Sequence, residues 1–217
     1  MADVTLTYKG STIAQMDASG SKTLRTAGKY CEGDIGISYV KPSGGGGSTD
    51  NEDAIISRTI TNYINPRVTT IGKYAFNFCQ NLVSIDFQNV IEADEYAFNA
   101  CPKLYSVNMP KLTKLPTRCF ASCYQLQTVK FPEVNYIGMA AFRYSSGLQT
   151  LILSKPEICT LYRTDAFFDT PIASGTGYIY VPQSLIEAYK AATNWVTYAA
   201  QFRTIEDYPD ICGEVTT

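Results

Sequence analysis

The sequence predicts an α/β solenoid, in which short parallel strands and short helical turns wind into 22-residue coils, with a small β-rich module in front and a capping helix behind. Three sets of positions carry this reading. Phe76, Phe98, Phe120 and Phe142 are each 22 residues apart. Cys79, Cys101 and Cys123 keep the same step, as do Leu82, Leu104, Leu126 and Leu148. The series Ile85, Val107, Val129, Leu151 and Phe87, Met109, Phe131, Leu153 follow at fixed offsets. Apolar side chains that recur at one period merge into a continuous core when each repeat is one turn of a stack.

Residues 1–41 read as the β-rich module. Val4 to Tyr8 alternates, Lys9-Gly10-Ser11 suits a turn, and Thr12 to Met16 follows as a second strand. Asp17 to Gly20 makes another turn before Lys22-Thr23-Leu24-Arg25, and Asp34 to Val40 alternates like a half-buried strand. Forty residues bury little surface, so this module is expected to rest on a neighbour or partner. Residues 42–53 form a flexible linker that opens Pro-Ser-Gly-Gly-Gly-Gly-Ser. Its first nine residues reach about 15–18 Å root-mean-square by the square-root law for Gly-rich chains.

Residues 54–217 hold the repeats. Ile60, Tyr63, Asn65 and Val68 precede Leu82, Ile85, Phe87 and Val90 by one period, an incomplete leading coil. Four clear coils follow, and a fifth is degenerate, with Ala166-Phe167 falling 25 residues after Ala141-Phe142. Within a coil, Phe76, Cys79 and Leu82 recur at three-residue steps and predict one short helical turn. Ile85-Asp86-Phe87 alternates as a short strand, which Pro110 and Pro132 stop in later coils. Ile71, Ala93, Leu115 and Ile137 mark a second extended segment. Tyr178 to Val181 predicts a closing strand. A helix from near Ser184 follows, with capping-box spacing to Glu187 and an apolar stripe of Leu185, Ala188, Tyr189 and Ala192.

The run Ile71-Gly72-Lys73-Tyr74-Ala75-Phe76-Asn77-Phe78-Cys79-Gln80-Asn81-Leu82, repeated at 22 and ending in a strand and proline, resembles the BspA-type leucine-rich repeat. The resemblance covers residues 60–181, and Tyr178 to Trp195 is similar to the usual C-terminal closure of such arrays. The fourth coil departs by placing Ser145 in the cysteine column. The resemblance implies a short leucine-rich-repeat solenoid and a bacterial surface or secreted protein that binds proteins or cells without catalysis. Leu6 to Gly10, Lys22 to Leu24 and Gly28-Lys29-Tyr30-Cys31 resemble short modules that head structural proteins of phages. That second resemblance implies a virion-attached protein, with tail or fibre partners held through residues 1–41 and the same module as the site of any homo-oligomer contact.

Composition excludes several chemistries. The formal charge of −2 offers no basic surplus for nucleic acid, and no apolar run is long enough to insert in a membrane. Histidine is absent, which removes the commonest general base and metal ligand. Stacked cysteines on parallel coils form a line and cannot converge on a tetrahedral metal, so Cys79, Cys101, Cys123 and the neighbouring Cys119 read as small core residues. Cys31, Cys159 and Cys212 lie outside the ladder and are the remaining candidates for a disulfide. The reading therefore assigns no catalytic residue, no metal and no cofactor.

A binding surface is what remains. Outward strand positions form two columns: Ser84, Ser106, Thr128, Thr150, and Asp86, Asn108, Lys130, Ile152. The first is uniformly hydroxylic, as exposed strand positions often are. The second changes charge from coil to coil, as a recognition surface does. Tyr74 and Tyr96 share a column and Tyr105 stands beside the strand columns, supplying contact area at low entropic cost. The expected ligand is a protein or a cell-surface glycan. With no secretory leader visible, the main expectation is a virion component folded in the host cytoplasm, and the alternative is a cell-surface or secreted adhesin-like protein.

Overall fold

The computed structural model describes residues 4–8, 11–16, 22–24, 62–64 and 68–213. The linker, the expected strand at 34–40 and Cys31 lie outside them. β1 (Val4–Tyr8) and β2 (Ser11–Met16) pair antiparallel, with Tyr8 opposite Ser11. β3 (Lys22–Leu24) pairs in parallel with β5 (Val68–Ile71).

Each coil contributes one strand to each side of the stack. On one side lie β4 (Asn62–Ile64), β6 (Ser84–Asp86), β8 (Ser106–Asn108), β10 (Thr128–Lys130), β12 (Thr150–Ile152) and β14 (Tyr178–Val181). These pair in parallel with side chains of like column opposite one another: Ser84 faces Ser106, and Thr128 faces Thr150. The ladder is interrupted between β8 and β10, which still pack side by side. On the other side run the shorter β7 (Glu92–Ala93), β9 (Lys114–Leu115), β11 (Tyr136–Ile137) and β13 (Thr160–Leu161). The last rung was not foreseen: β15 (Phe202–Thr204) from the closing segment adds in parallel to β14.

The expected helical turn takes the form of consecutive tight turns. Ala75, Asn77 and Cys79 donate their N–H groups three residues back, as in a 3-10 turn, at 3.2, 3.1 and 3.3 Å. The alternate N–H groups, of Tyr74, Phe76 and Phe78, instead donate to Glu95, Ala97 and Asn99 of the next coil at 3.1, 2.7 and 2.9 Å. Tyr96, Phe98 and Ala100 repeat the pattern onto Thr117, Cys119 and Ala121. This double use of the backbone holds Tyr74, Phe78, Tyr96 and Tyr144 in left-handed conformation, φ 59 to 64°. A bulky residue there is strained by about 1–2 kcal/mol, which the inter-coil bonds offset.

The periodic residues fill the space between the two sides. Rings of Phe76, Phe98, Phe120, Phe142 and Phe167 form one stack, with successive centroids 5.1, 5.1, 5.9 and 5.7 Å apart and planes within 10°. Phe167 keeps its column despite the longer spacing because two of the three extra residues fall earlier in the coil, between β12 and β13. The cysteine column does more than fill volume. Cys101 Sγ donates to Phe76 O at 3.0 Å, and Cys123 Sγ donates to Phe98 O at 3.2 Å. Ser145 fits the column because its Oγ does the same to Phe120 O at 2.7 Å while accepting from Cys123 N at 3.1 Å. Ser145→Ala, which removes the hydroxyl and strands two buried backbone groups, is expected to cost about 1–3 kcal/mol by urea unfolding. Ser145→Cys, the residue of the other coils, is expected to cost less than about 1 kcal/mol.

The C-terminal cap departs from expectation in detail. A 3-10 turn, Gln183–Leu185, precedes the helix Ile186–Ala191, and the Ser184–Glu187 capping box does not form. Glu187 pairs with Lys190 at 2.8 Å, and Gln183 N donates instead to the Glu206 carboxylate at 3.0 and 3.2 Å. Of the expected stripe, Tyr189 is buried and Leu185 and Ala192 pack against the core, whereas Ala188 faces solvent. Cys159 and Cys212 are buried free thiols, so they form no disulfide with each other.

Candidate functional site

The outward face of the β4–β15 side is built by the period-two alternation of each strand. Ile85, Val129 and Leu151 point into the core, and Val107 packs against it half-buried. Their neighbours on either side therefore project outward. Ser106, Asn108 and Thr128 are exposed; Ser84, Asp86 and Thr150 are half-buried. The polar side chains connect along the stack. Asn108 Nδ2 donates to Asp86 Oδ1 at 3.1 Å, Gln88 Nε2 donates to the same oxygen at 2.6 Å, and Ser84 Oγ donates to Asn62 Oδ1 at 2.5 Å. Tyr105 stands beside them, 56 % exposed, its N–H donating to Val83 O of the preceding coil at 2.8 Å.

The other end of the column corrects the expectation. Ile152 is 1 % exposed and clusters with Tyr180, Ile205 and Cys212, so it is core and no part of a recognition surface. The covering segment ends in the short helix Pro209–Cys212, and Lys130 Nζ donates to Cys212 O at 2.6 Å. Lys130 is exposed but committed to that helix end, where a cation suits the partial negative charge of the terminal carbonyls. The open face thus runs from β6 to β10 and closes at β12.

Tyr74 and Tyr96 lie elsewhere, on the turn side of the coils. Their rings stack at 5.0 Å, with Lys73 5.5 Å from the first and Arg118 5.8 Å from the second. Lys73 also pairs with Glu95 at 2.7 Å, which raises its pKa. Phe78, Tyr144 and Phe168 are exposed on the same side and were not singled out from the sequence. The expected contact residues therefore divide between two faces.

No catalytic arrangement emerges among the described residues, and no group of three metal-ligating side chains comes together there. The thiols are poor nucleophiles: burial pushes Cys123 and Cys159 up to about 12 and raises Cys101 and Cys119 well above the usual thiol range. Among the described residues no helix is long and apolar enough to cross a membrane.

The profile of the BspA type leucine rich repeat region matches residues 56–172 in six copies. Among solved structures, a leucine-rich repeat protein from Bacteroides ovatus is 21 % identical, with a TM-score of 0.49 over 67 % of this chain and 42 % of that one. A leucine rich cell surface protein from Faecalibacterium prausnitzii is 17 % identical, with a TM-score of 0.44 over 75 % and 38 %. The pneumococcal vaccine antigen PcpA is 16 % identical, with a TM-score of 0.47 over 66 % and 39 %. In each case the chain spans less than half of the matched structure's length. No curated protein sequence matches the chain. The resemblance of residues 1–41 to phage modules gains no support from these matches.

Proposed function

The chain belongs to the BspA type leucine-rich repeat family, and from that membership we propose that it is a non-catalytic binding protein of the bacterial surface or secreted kind, holding a protein ligand on the open strand face. The observation that carries this reading is the contrast between columns. Core positions repeat from coil to coil, whereas Asp86 and Asn108, paired in one column, differ in charge. A shallow face that mixes serine, threonine, asparagine and an exposed tyrosine suits an adaptable protein contact rather than an enclosed small-molecule site. This reading replaces the virion assignment with its adhesin-like alternative.

The test is flow cytometry of the fluorescently labelled full chain on epithelial and bacterial cells, with and without prior protease treatment of those cells. Staining is expected to be protease-sensitive and to fall at least tenfold with Asn108→Arg or Tyr105→Glu, both at solvent-facing positions. Staining that survives protease treatment, or that both variants leave intact, defeats the reading.

A further inference from the structure

Where the period breaks, the stack opens a cavity. Strand β10 leads to β12 in 22 residues, but β12 leads to β14 in 28, from Thr150 to Tyr178. Part of the excess forms the short helix Pro171–Ser174, ended by Gly175 at φ 86°. Between this loop, the 3-10 turn Thr164–Phe167 and the closing 3-10 segment Trp195–Gln201 lies a cavity of about 640 Å³. That volume falls within the range of about 300–1,000 Å³ usual for small-ligand sites.

Its lining is unlike the open strand face. Phe168, 50 % exposed, supplies an aromatic wall. Arg143 lies 4.7 Å from that ring's centroid and Tyr144 meets it edge-on at 85°, so the ring is held in place. Asp165 and Asp169 supply carboxylates, and Ser146, Ser174 and Thr197 supply hydroxyls. Asp165 Oδ2 lies 3.4 Å from Arg163 and its Oδ1 is buried out of a ligand's reach, so the exposed Asp169 is the carboxylate open to accept from a ligand.

We infer that this cavity binds a neutral pyranose sugar. A pyranose has an apolar face of C–H groups that suits the Phe168 ring and a rim of hydroxyls that both donate and accept. Carboxylates accept strongly from such hydroxyls, and serine and threonine complement them in either direction. The two carboxylates disfavour an acidic sugar by repulsion. A lysine or arginine side chain of a peptide is the rival occupant. The carboxylates favour its charge, but Arg143 already uses the Phe168 ring as a cation partner, and a lysine side chain leaves the lining hydroxyls without the alternating donors and acceptors a sugar offers. The site is separate from the strand face and does not depend on a ligand being bound there.

Saturation-transfer NMR on the full chain tests this with the methyl glycosides of glucose, galactose, mannose and N-acetylglucosamine, alongside N-acetyl-lysine methylamide. Saturable binding of at least one glycoside is expected, weakened at least tenfold by Phe168→Ala and by Asp169→Asn and unchanged by Asn108→Arg. Asp169 sits at φ 59°, a conformation asparagine also tolerates, so that variant keeps the backbone. The inference is overturned if no glycoside binds saturably, if both cavity variants bind as well as the parent, or if only the lysine derivative binds.

Discussion

Phe120→Ala is expected to destabilise the chain by about 3–5 kcal/mol, the range for removing a fully buried phenylalanine ring. The ring is 0 % exposed, and Phe98 and Phe142 lie on its two sides at 5.1 and 5.9 Å with planes within 10° of its own. Phe131 closes a third side at 6.1 Å. Refilling the void by sliding a neighbour would break the register that backbone bonds impose, since Phe98 N donates to Cys119 O at 2.9 Å and Phe120 N to Ala141 O at 2.8 Å. The contrast is Phe168→Ala, where half the ring is exposed and only the contacts with Arg143 and Tyr144 are lost, so the change should cost about 1 kcal/mol. Urea unfolding followed by circular dichroism decides the matter. A loss below about 1 kcal/mol for Phe120→Ala would mean that the coil interior collapses freely, against a stacked core.

The stack was legible because burial forces it. A side chain that must meet its equivalent in the next coil recurs at the coil length, so Phe76 through Phe142 announced both the period and the core. The left-handed residues were not legible. Tyr74, Phe78 and Tyr96 carry no glycine or asparagine hint, and their conformation follows from bonds to the next coil, a tertiary demand that overrides local preference. The capping box failed for a related reason: Glu206, distant in sequence, satisfies the N–H at Gln183 and removes the need for a local cap. β15 escaped notice because Phe202-Arg203-Thr204 is too short to show alternation, and its pairing with β14 is what makes it a strand.

The candidate surface was half legible. Asn108 lies open and is joined to the half-buried Asp86, as on a strand face. Lys130 and Ile152 were read outward from the same alternation, which says which side of a strand a residue takes but not what lies over that side. A clue was present. Ile152 is followed in its column by Tyr180, and two successive large, largely apolar residues at positions elsewhere polar point to a cover. That cover is Ile205 and the helix Pro209–Cys212. The cavity residues drew no notice because an insertion carries no period to read. Phe168 and Asp169 have equivalents in earlier coils, but the loop that borders the cavity beside them does not.

Trp195→Ala is expected to match or exceed the Phe120 variant in cost, at about 3–5 kcal/mol, while acting on a different part of the stack. Trp195 is 0 % exposed and ends the aromatic column, 5.9 Å from Phe167, 5.6 Å from Tyr189 and 5.7 Å from Phe202. Its Nε1 donates to Cys159 O at 2.6 Å, so truncation opens a void and also leaves a buried carbonyl without its donor. Trp195→Phe separates the two terms. It retains most of the ring, loses the hydrogen bond, and should cost about 1–3 kcal/mol. In an array where each coil touches only its neighbours, the damage should be local. Hydrogen exchange is expected to show Trp195→Ala losing protection first at Phe142 and Tyr144, whose N–H groups donate to Ala166 O and Phe168 O, while Phe76 and Phe98 keep theirs. Equal loss of protection across all coils would show instead that the cap and the stack unfold as one unit.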